Sequence, residues 1–462
     1  MDRKKADEHK LDLRGSFKKK LEELFYADLR SLALLRIGIA IMLLVDLATR
    51  ICSITQDYTD KGIIPRDAAE AVSQPYSWSL YFLNGSYEFS LALFIITLIL
   101  ALMLLFGYKT RITTILSYIM LVSLNNRNPI IIDGSDIHLQ VILFWGIFLP
   151  WNARYSIDFV NSKILRSLPN RVFSFGILGY FLQICFIYVT TSIFKSGPEW
   201  TLNYSAIHYA LSYDIYALPL AKVLLRFPQV LTILTFFVKW YELFGTLLFF
   251  FPFYTSIVRI IAISIFMLMH LGIGSTLLLG LFPFISIVSF FGLLPTLFWE
   301  SLFKWLKGIN KFKLKIYYDS DCGFCWKIVY YAKTFFLLPN TEIIPANSDS
   351  QIFSLMQKEN SFIVEERSGQ RHFRSEAIFA VIKASPVLFP FALISNIPGS
   401  HRITDKVYNF IARRRHVVCP VTYKKNENSG NLVIFSLPVN FLALFFMTYI
   451  LFWNIQHFFF FF

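Results

Sequence analysis

The chain has 462 residues, of which 55% are hydrophobic and 16% are charged, and its formal net charge is +14. Soluble globular chains carry about a quarter charged residues, so this composition excludes an ordinary soluble protein and predicts one that folds in lipid. The positive charge does not predict nucleic-acid binding. The basic residues lie in short stretches beside apolar segments, as they do in the cytoplasmic loops of membrane proteins.

Residues 1–30 form a basic N-terminal segment that we predict to be amphipathic. The pattern from Ser16 to Leu29 is that of a helix leading directly into an apolar stretch. No small-residue cleavage site separates the two. We therefore expect an uncleaved membrane anchor and no cleavable signal peptide.

Residues 31–300 are predicted to form a transmembrane domain, because apolar stretches that approach the length needed to cross a bilayer recur throughout them. Eight spans are predicted, at Leu32–Ile54, Tyr87–Phe106, Ile112–Leu124, His138–Leu149, Val172–Phe194, Pro228–Phe251, Ile257–Leu279 and Phe282–Trp299. Lysine and arginine concentrate in alternate connections, which places the N-terminus and everything after Trp305 in the cytoplasm. The lipid bilayer, most simply a bacterial inner membrane, is thus the first expected partner.

A basic linker, residues 301–312, precedes a stretch of different composition, residues 313–422. Its alternation and turn residues predict an α/β domain. The predicted elements are a strand at 313–319, a helix at Phe324–Leu337, strands in TEIIPAN and SFIVEER, and helices at Ser375–Lys383 and Asp405–Arg415. Residues 432–454 are apolar again and form a candidate further span. The predicted fold class is a polytopic α-helical bundle of about eight spans plus a C-terminal α/β domain.

Cys322 and Cys325 form a Cys-x-x-Cys motif where the first predicted strand of this domain meets its first helix. The helix N-terminus favours a thiolate, whereas the nearby carboxylates of Asp319 and Asp321 oppose it. The two-residue spacing lets the second cysteine close a disulfide with the first, as in thioredoxin-like redox proteins. We therefore predict that both cysteines are catalytic.

Zinc binding is the competing interpretation of the motif. A structural zinc site needs four ligands. The other two would have to be Cys419 and one of His372, His401 or His416. No second paired motif supplies them, so redox chemistry is favoured and no metal is assigned.

Three stretches around the motif resemble the DCC family of thiol-disulfide oxidoreductase-like domains. They are YYDSDCGFC, SEAIFAVI at 375–382 and VYNFIARRRHVVC at 407–419, and together they cover about residues 314–422. Ser320 stands where the family usually has glycine. The resemblance implies a thioredoxin-like fold in which Cys322 is the nucleophile and Cys325 the resolving thiol.

Ionisable residues also lie inside the predicted spans, where they are costly unless they pair or face a cavity. Lys239 and Glu242 are three apart and therefore share one face of the sixth span, and His270 lies in the seventh. These three residues are candidate cofactor-binding residues. Structural pairing inside the bundle is the alternative.

Residues 28–300 resemble the HTTM family, the transmembrane domains related to vitamin K-dependent γ-carboxylase. The resemblance rests on LALLRIGIAIMLLVDL, YTDKGIIPR at 58–66, LPWNARYSID at 149–158, FKSGPEW at 194–200 and MHLGIGSTLLLGLFP at 269–283. It implies that Lys195, five residues before Trp200, is a candidate catalytic base and that a quinone or quinol is a candidate cofactor. A snorkelling anchor is the alternative role of Lys195. The carboxylase also needs a large lumenal module that has no counterpart here, so peptide carboxylation is not expected.

Three functions follow. The first is a membrane-bound thiol-disulfide oxidoreductase that couples a cytosolic dithiol or protein partner to a membrane quinone or other lipid ligand. The second is a carboxylase- or epoxidase-like membrane enzyme with Lys195 as its base. The third is a non-enzymatic membrane scaffold or transporter.

Overall fold

A computed structural model of the chain describes residues 20–21, 23–72, 77–309, 314–319, 323–338, 341–397, 399–418 and 439–448. The chain divides into two compact units. The bundle unit comprises Met1–Ala153, Pro169–Phe298 and Asn431–Phe462, and the sheet unit comprises Arg154–Leu168 and Trp299–Gly430. Several predicted features lie outside the described residues: residues 1–19, Cys322, Cys419 and both ends of the segment 432–454.

The described part is mostly helical. The helices, in chain order, are α1 Leu29–Arg50, α2 Ile54–Tyr58, α3 Arg66–Val72, α4 Tyr87–Phe106, α5 Thr110–Arg127, α6 Gly134–Gly146, α7 Ile157–Asn161, α8 Lys163–Ser167, α9 Phe175–Phe194, α10 Pro198–Thr201, α11 Ala206–Leu211, α12 Pro219–Leu224, α13 Pro228–Phe244, α14 Thr255–Thr276, α15 Phe282–Ser289, α16 Thr296–Ile309, α17 Gly323–Phe335, α18 Ser350–Glu359, α19 Arg374–Ala384, α20 Ser400–Val418 and α21 Val439–Thr448. The strands are β1 Ala27–Asp28, β2 Arg171–Val172, β3 Lys315–Tyr318, β4 Glu342–Pro345, β5 Ile363–Glu365 and β6 Arg371–Phe373.

Five helical segments among the described residues are long and apolar enough to cross a membrane. They are Leu29–Tyr58, Tyr87–Phe106, Phe175–Phe194, Pro228–Phe250 and Thr255–Thr276. A sixth is counted only if Phe282–Leu293 and Thr296–Leu306, which are separated by a sharp bend, act as one broken span. These lengths and compositions indicate a membrane protein.

The predicted count of eight spans is not confirmed, for reasons visible in two helices. Helix α6 has 13 residues, which is about 20 Å at a rise of 1.5 Å per residue and too short for a hydrocarbon core of about 30 Å. Helix α5 is long enough but buries hydroxyl, amide and guanidinium groups among its neighbours. Its Arg127 donates to the carbonyl oxygens of Ile64 at 3.0 Å and Thr59 at 2.9 Å.

The bundle unit is apolar on the outside, which is the reverse of a soluble protein. Ile99 of α4 and Ile233 and Phe236 of α13 are among the most exposed side chains. Inside the unit, Gly179 allows α9 to approach α6 closely, since a Cβ atom there would lie 2.2 Å from the Trp145 ring. This contact fixes α9, whose C-terminal end carries Lys195.

The sheet unit contains a four-stranded sheet in the order β4-β3-β5-β6. β3 runs parallel to β4 and antiparallel to β5, and β5 pairs antiparallel with β6. Alternate residues of β3 face opposite sides, so Ile316 and Tyr318 join one core while Tyr317 joins the other. The first core contains residues of α17 and α19, and the second contains residues of α18.

The predicted strands and helices of the α/β domain are present, with boundaries shifted by a few residues. The thioredoxin-like fold itself stays a prediction. Two loop helices between spans, α7 and α8, belong to the sheet unit although the sequence placed them in the transmembrane domain. Residues 301–309 of the predicted linker are the second part of helix α16.

Candidate functional site

Cys325 lies in the first turn of α17, directly after the edge of the sheet where β3 ends. Because α17 begins at Gly323, the thiol of Cys325 lies at the helix N-terminus. The dipole of this 13-residue helix favours negative charge on sulfur there. The side chain of Cys325 is half-buried. Its predicted partner, Cys322, is outside the described residues, so the pair is known from the sequence alone.

An apolar cavity of about 310 Å³ lies against Cys325. Its wall is formed by side chains of β3, α17, α18, α19 and α20 and of the segments that follow β3, α17, α18 and α19. Asp319 is its one charged wall residue among those described, and Phe336, Phe362 and Leu388 are typical of the rest. A cavity of this size and composition is typical of a small-molecule site with few polar groups. The thiol of Cys325 therefore borders an apolar cavity.

Two aromatic residues and an arginine lie around the helix turn that carries Cys325. Trp326, the next residue after Cys325, packs on Tyr330 at 4.6 Å between ring centroids. The guanidinium of Arg166, from α8, lies 5.1 Å from the centroid of the Trp326 ring. Burial raises the pKa of Tyr318 at the end of β3, so its phenol is neutral at physiological pH. Arg166 therefore brings a positive charge to the helix turn that carries Cys325.

Two of the three histidines of the zinc alternative, His372 and His401, have protein partners. Nε2 of His372 is 3.1 Å from Oε1 of Glu366, and Nδ1 of His401 is 3.4 Å from the Ser375 hydroxyl. No group of three or more metal-ligating side chains occurs within the described part of the chain. Cys322 and Cys419 are outside that part, so the zinc alternative stays untested.

A second polar cluster lies in the bundle unit, where α9 and α13 pack together. The Lys195 ammonium donates to the Glu242 carboxylate and lies 4.7 Å from the centroid of the Trp200 ring. Lys239 is buried, and its ammonium donates to the carbonyl oxygens of Ser192 and, at 2.7 Å, Lys195. Lys195, Lys239 and Glu242, all singled out by the sequence, therefore lie in one cluster.

The contacts of the two lysines differ in a way that matters for function. Lys239 donates to backbone carbonyl groups at the C-terminal end of α9, which is a structural task. Lys195 is bound to a side chain and is partly exposed. The cluster has two ammonium groups and one carboxylate, so positive charge is in excess and favours an electron-rich ligand group.

His270, in α14, is bound to a residue that the sequence did not single out. Its Nε2 atom is 2.8 Å from the hydroxyl of Tyr188 in α9. The ring of Tyr188 in turn packs on Phe266 at 4.5 Å and stacks on Phe290 at 5.4 Å between centroids. The Nδ1 atom of His270 is buried and has no hydrogen-bond partner among the described residues. A buried polar atom of this kind is costly, which makes His270 a candidate for contact with a ligand or a water molecule.

Sequence reasoning missed Tyr188, Arg166 and the cavity wall. A tyrosine in an apolar span gives no periodic signal, and Arg166 reaches Trp326 only through the fold. The cavity depends on residues as far apart as Ile316 and Tyr408. Only the cysteine spacing and the intramembrane charges carried a signal in the sequence.

Residues 316–419 match the family model of the DCC1-like thiol-disulfide oxidoreductases. The chain therefore carries a DCC1-like thiol-disulfide oxidoreductase domain, and this part of the sequence prediction is confirmed. No curated protein and no solved structure matches the chain. The comparisons give no evidence for an HTTM domain, so that resemblance stays a prediction.

Proposed function

We propose that the protein is a membrane-bound thiol-disulfide oxidoreductase whose Cys-x-x-Cys site is Cys322 and Cys325. The match of residues 316–419 to the DCC1-like family is the observation that carries the proposal. The position of Cys325 at a helix N-terminus and against an apolar cavity supports it. The sheet order, with a parallel β3–β4 pair and an antiparallel hairpin, is consistent with the thioredoxin-like fold that the resemblance implies.

The proposed reaction is a two-electron exchange. The Cys322 thiolate attacks one sulfur of a substrate disulfide and forms a mixed disulfide, while the other substrate sulfur leaves as a thiolate and takes up a proton. The Cys325 thiolate then attacks Cys322, releases the second substrate thiol and closes the Cys322–Cys325 disulfide. The substrate gains two electrons and two protons, and an external dithiol restores the enzyme.

The proposed compartment determines the direction of this exchange. Positive-inside charge asymmetry favours a cytosolic sheet unit in a bacterial inner membrane. Glutathione and thioredoxin keep cytosolic dithiols reduced, so the site acts there as a reductant or sensor of disulfides. Labelling of cysteines in intact and permeabilised cells tests the orientation, because a cytosolic Cys322 reacts with an impermeant reagent only after permeabilisation.

Redox titration of the full-length protein in detergent tests the activity. In dithiothreitol buffers of stepped potential, we expect one two-electron transition, read by alkylation and mass spectrometry. Cys322→Ser and Cys325→Ser each abolish it, whereas Cys52→Ser, which changes an exposed cysteine of the bundle unit, leaves it intact. If the wild-type protein forms no Cys322–Cys325 disulfide at any potential, the proposal is wrong.

We further propose that the Lys195–Glu242 cluster binds a quinone or another lipid-soluble ligand with an electron-rich oxygen. The excess positive charge at the junction of α9 and α13 favours this ligand. In this coupling the quinone takes the place of the substrate disulfide as electron acceptor: the Cys322–Cys325 dithiol gives up two electrons and two protons and becomes a disulfide, the quinone becomes a quinol, and the external dithiol again restores the site. Binding of a menaquinone analogue, followed by quenching of tryptophan fluorescence, is expected to weaken in Lys195→Met and to persist in Lys222→Met, which changes an exposed lysine of α12.

The carboxylase- or epoxidase-like alternative gives Lys195 a different role. A base needs a lone pair, whereas the Lys195 ammonium is a donor to Glu242. That contact favours ligand binding over proton abstraction, so this function ranks second. Full quinol-oxidising activity in Lys195→Ala would exclude it. The scaffold or transporter alternative predicts stoichiometric zinc or no redox transition at all.

A further inference from the structure

The sheet unit exposes an unusual number of large apolar side chains in one part of the chain. Residues 384–400 contain no charged residue. Within them, Phe389 is 63% exposed and Leu393 is 73% exposed, and Phe391 and Ile397 are exposed as well. Contiguous apolar surface on a water-soluble domain marks an interaction site.

Helix α20 continues this surface. Ile403, Val407 and Phe410 recur at spacings of four and three residues, so they share one face of the helix, and all three are exposed. We call the exposed apolar side chains of residues 387–397, together with these three, the apolar face. It combines an uncharged loop with an amphipathic helix.

The charges beside the apolar face are mostly positive. Lys383, Arg402 and Lys406 are exposed. The one nearby acid of α20, Asp405, accepts a hydrogen bond from the backbone N–H of Ser375 at 3.1 Å. An apolar face bordered by lysine and arginine has the composition of interfacial segments that lie in the headgroup region of a membrane. Basic borders add attraction to anionic lipids.

We infer that the apolar face docks on the surface of an anionic phospholipid bilayer. The described residues contain five candidate spans, so a bilayer is always present at high effective concentration for this domain. A soluble protein partner would have no such advantage. The inference does not depend on the redox activity.

Docking would also bring the redox site close to lipid. Leu388, next to the exposed Phe389, and Tyr408, next to the exposed Val407, both line the cavity that Cys325 borders. A thiol or disulfide that carries a hydrocarbon chain could then pass from the bilayer to the cavity. The docked face therefore selects for apolar substrates.

Photocrosslinking in purified proteoliposomes tests the docking. Benzoylphenylalanine is placed at Leu393 of the full-length protein and, as a matched control, at Lys358, an exposed residue of α18 in the same unit. In vesicles of phosphatidylethanolamine and phosphatidylglycerol, position 393 is expected to give about tenfold more lipid adduct than position 358. In pure phosphatidylcholine vesicles, the adduct at position 393 is expected to fall about fivefold.

Each other outcome overturns the inference. An adduct between two chains at position 393 would make the face a dimer interface. An adduct within one chain would show that the protein itself covers it. Equal lipid adducts at positions 393 and 358 would show that the face has no preference for the bilayer. A Cys322→Ser protein should give the same lipid adducts as the wild type, which separates docking from redox function.

Discussion

The bundle unit and the sheet unit differ in where they place polar and apolar side chains. The bundle unit is surrounded by apolar surface and keeps ammonium, carboxylate, imidazole and phenol groups inside. The sheet unit has charged side chains on its surface but contains an apolar cavity beside a thiol and exposes an apolar face. The candidate site of the bundle unit is thus a cluster of charged groups, whereas that of the sheet unit is a thiol beside apolar side chains.

Side chains that lie in an environment unfavourable to them mark the candidate sites of both units. Charges inside a membrane domain are costly unless they are paired, so the partly exposed Lys195–Glu242 pair is the candidate site of the bundle unit. An apolar cavity of this size beside a thiol has the composition of a small-molecule site, which makes Cys325 and the cavity wall the candidate site of the sheet unit. The predictions below change one side of this comparison at a time.

The largest effect is expected from breaking the ion pair of the bundle unit. Glu242→Leu leaves the Lys195 ammonium without its carboxylate, and loss of one partner of a buried pair costs about 3–5 kcal/mol. Because the Lys195 side chain is 18% exposed, we expect a value near the lower limit. Thermal unfolding in detergent, followed by circular dichroism, measures the change.

The double variant Lys195→Met/Glu242→Leu is the control for this prediction. It removes both charges and keeps similar volume, so most of the lost stability is expected to return. If the double variant is as unstable as Glu242→Leu, the residues act independently and the pair is not the source of the effect.

A smaller loss is expected from the hydrogen bond between Tyr188 and His270. Tyr188→Phe keeps the packing on Phe266 but leaves Nε2 of His270 unsatisfied, which costs about 1–3 kcal/mol. The variant Tyr188→Phe/His270→Phe removes both polar groups and should recover part of that stability. The same unfolding measurement checks both variants, and equal stability of Tyr188→Phe and wild type would mean that the bond contributes nothing.

Local patterns in the sequence singled out several candidate residues of each unit but not the contacts that those residues make. The Cys-x-x-Cys spacing and the charged residues at 195, 239 and 242 are local patterns. The three charged residues do lie in one cluster. The number of spans was not predictable in the same way. Residues 112–124 of helix α5 are apolar in the sequence, but the whole helix also buries hydroxyl, amide and guanidinium groups among other helices, and that burial is a tertiary property. Arg166, the cavity and Tyr188 depend on contacts between residues far apart in the chain, which no local pattern encodes.

A change in the cavity is expected to alter specificity and not stability. Ala332→Phe, in α17 on the cavity wall, would fill part of the space beside Cys325. Reduction of a disulfide with a long hydrocarbon chain is expected to slow about tenfold, the discrimination that a few methylene groups allow. Reduction of hydroxyethyl disulfide, which does not need the cavity, should be unchanged. Equal slowing of both substrates would mean that the cavity is not the substrate site.

The smallest effect is expected at a helix cap of the sheet unit. Asp349 precedes α18, and its carboxylate accepts hydrogen bonds from the backbone N–H groups of Gln351 at 2.9 Å and Ile352 at 3.2 Å. Asp349→Ala removes this cap and should cost about 1 kcal/mol, whereas Asp349→Ser, which can still accept, should cost less. Hydrogen exchange of the full-length protein measures the effect as faster exchange confined to α18. Because Ile352 of α18 belongs to the core on the face of the sheet opposite α17, exchange in α17 should stay unchanged. Faster exchange in α17 as well as in α18 of Asp349→Ala would show that the two faces of the sheet are coupled.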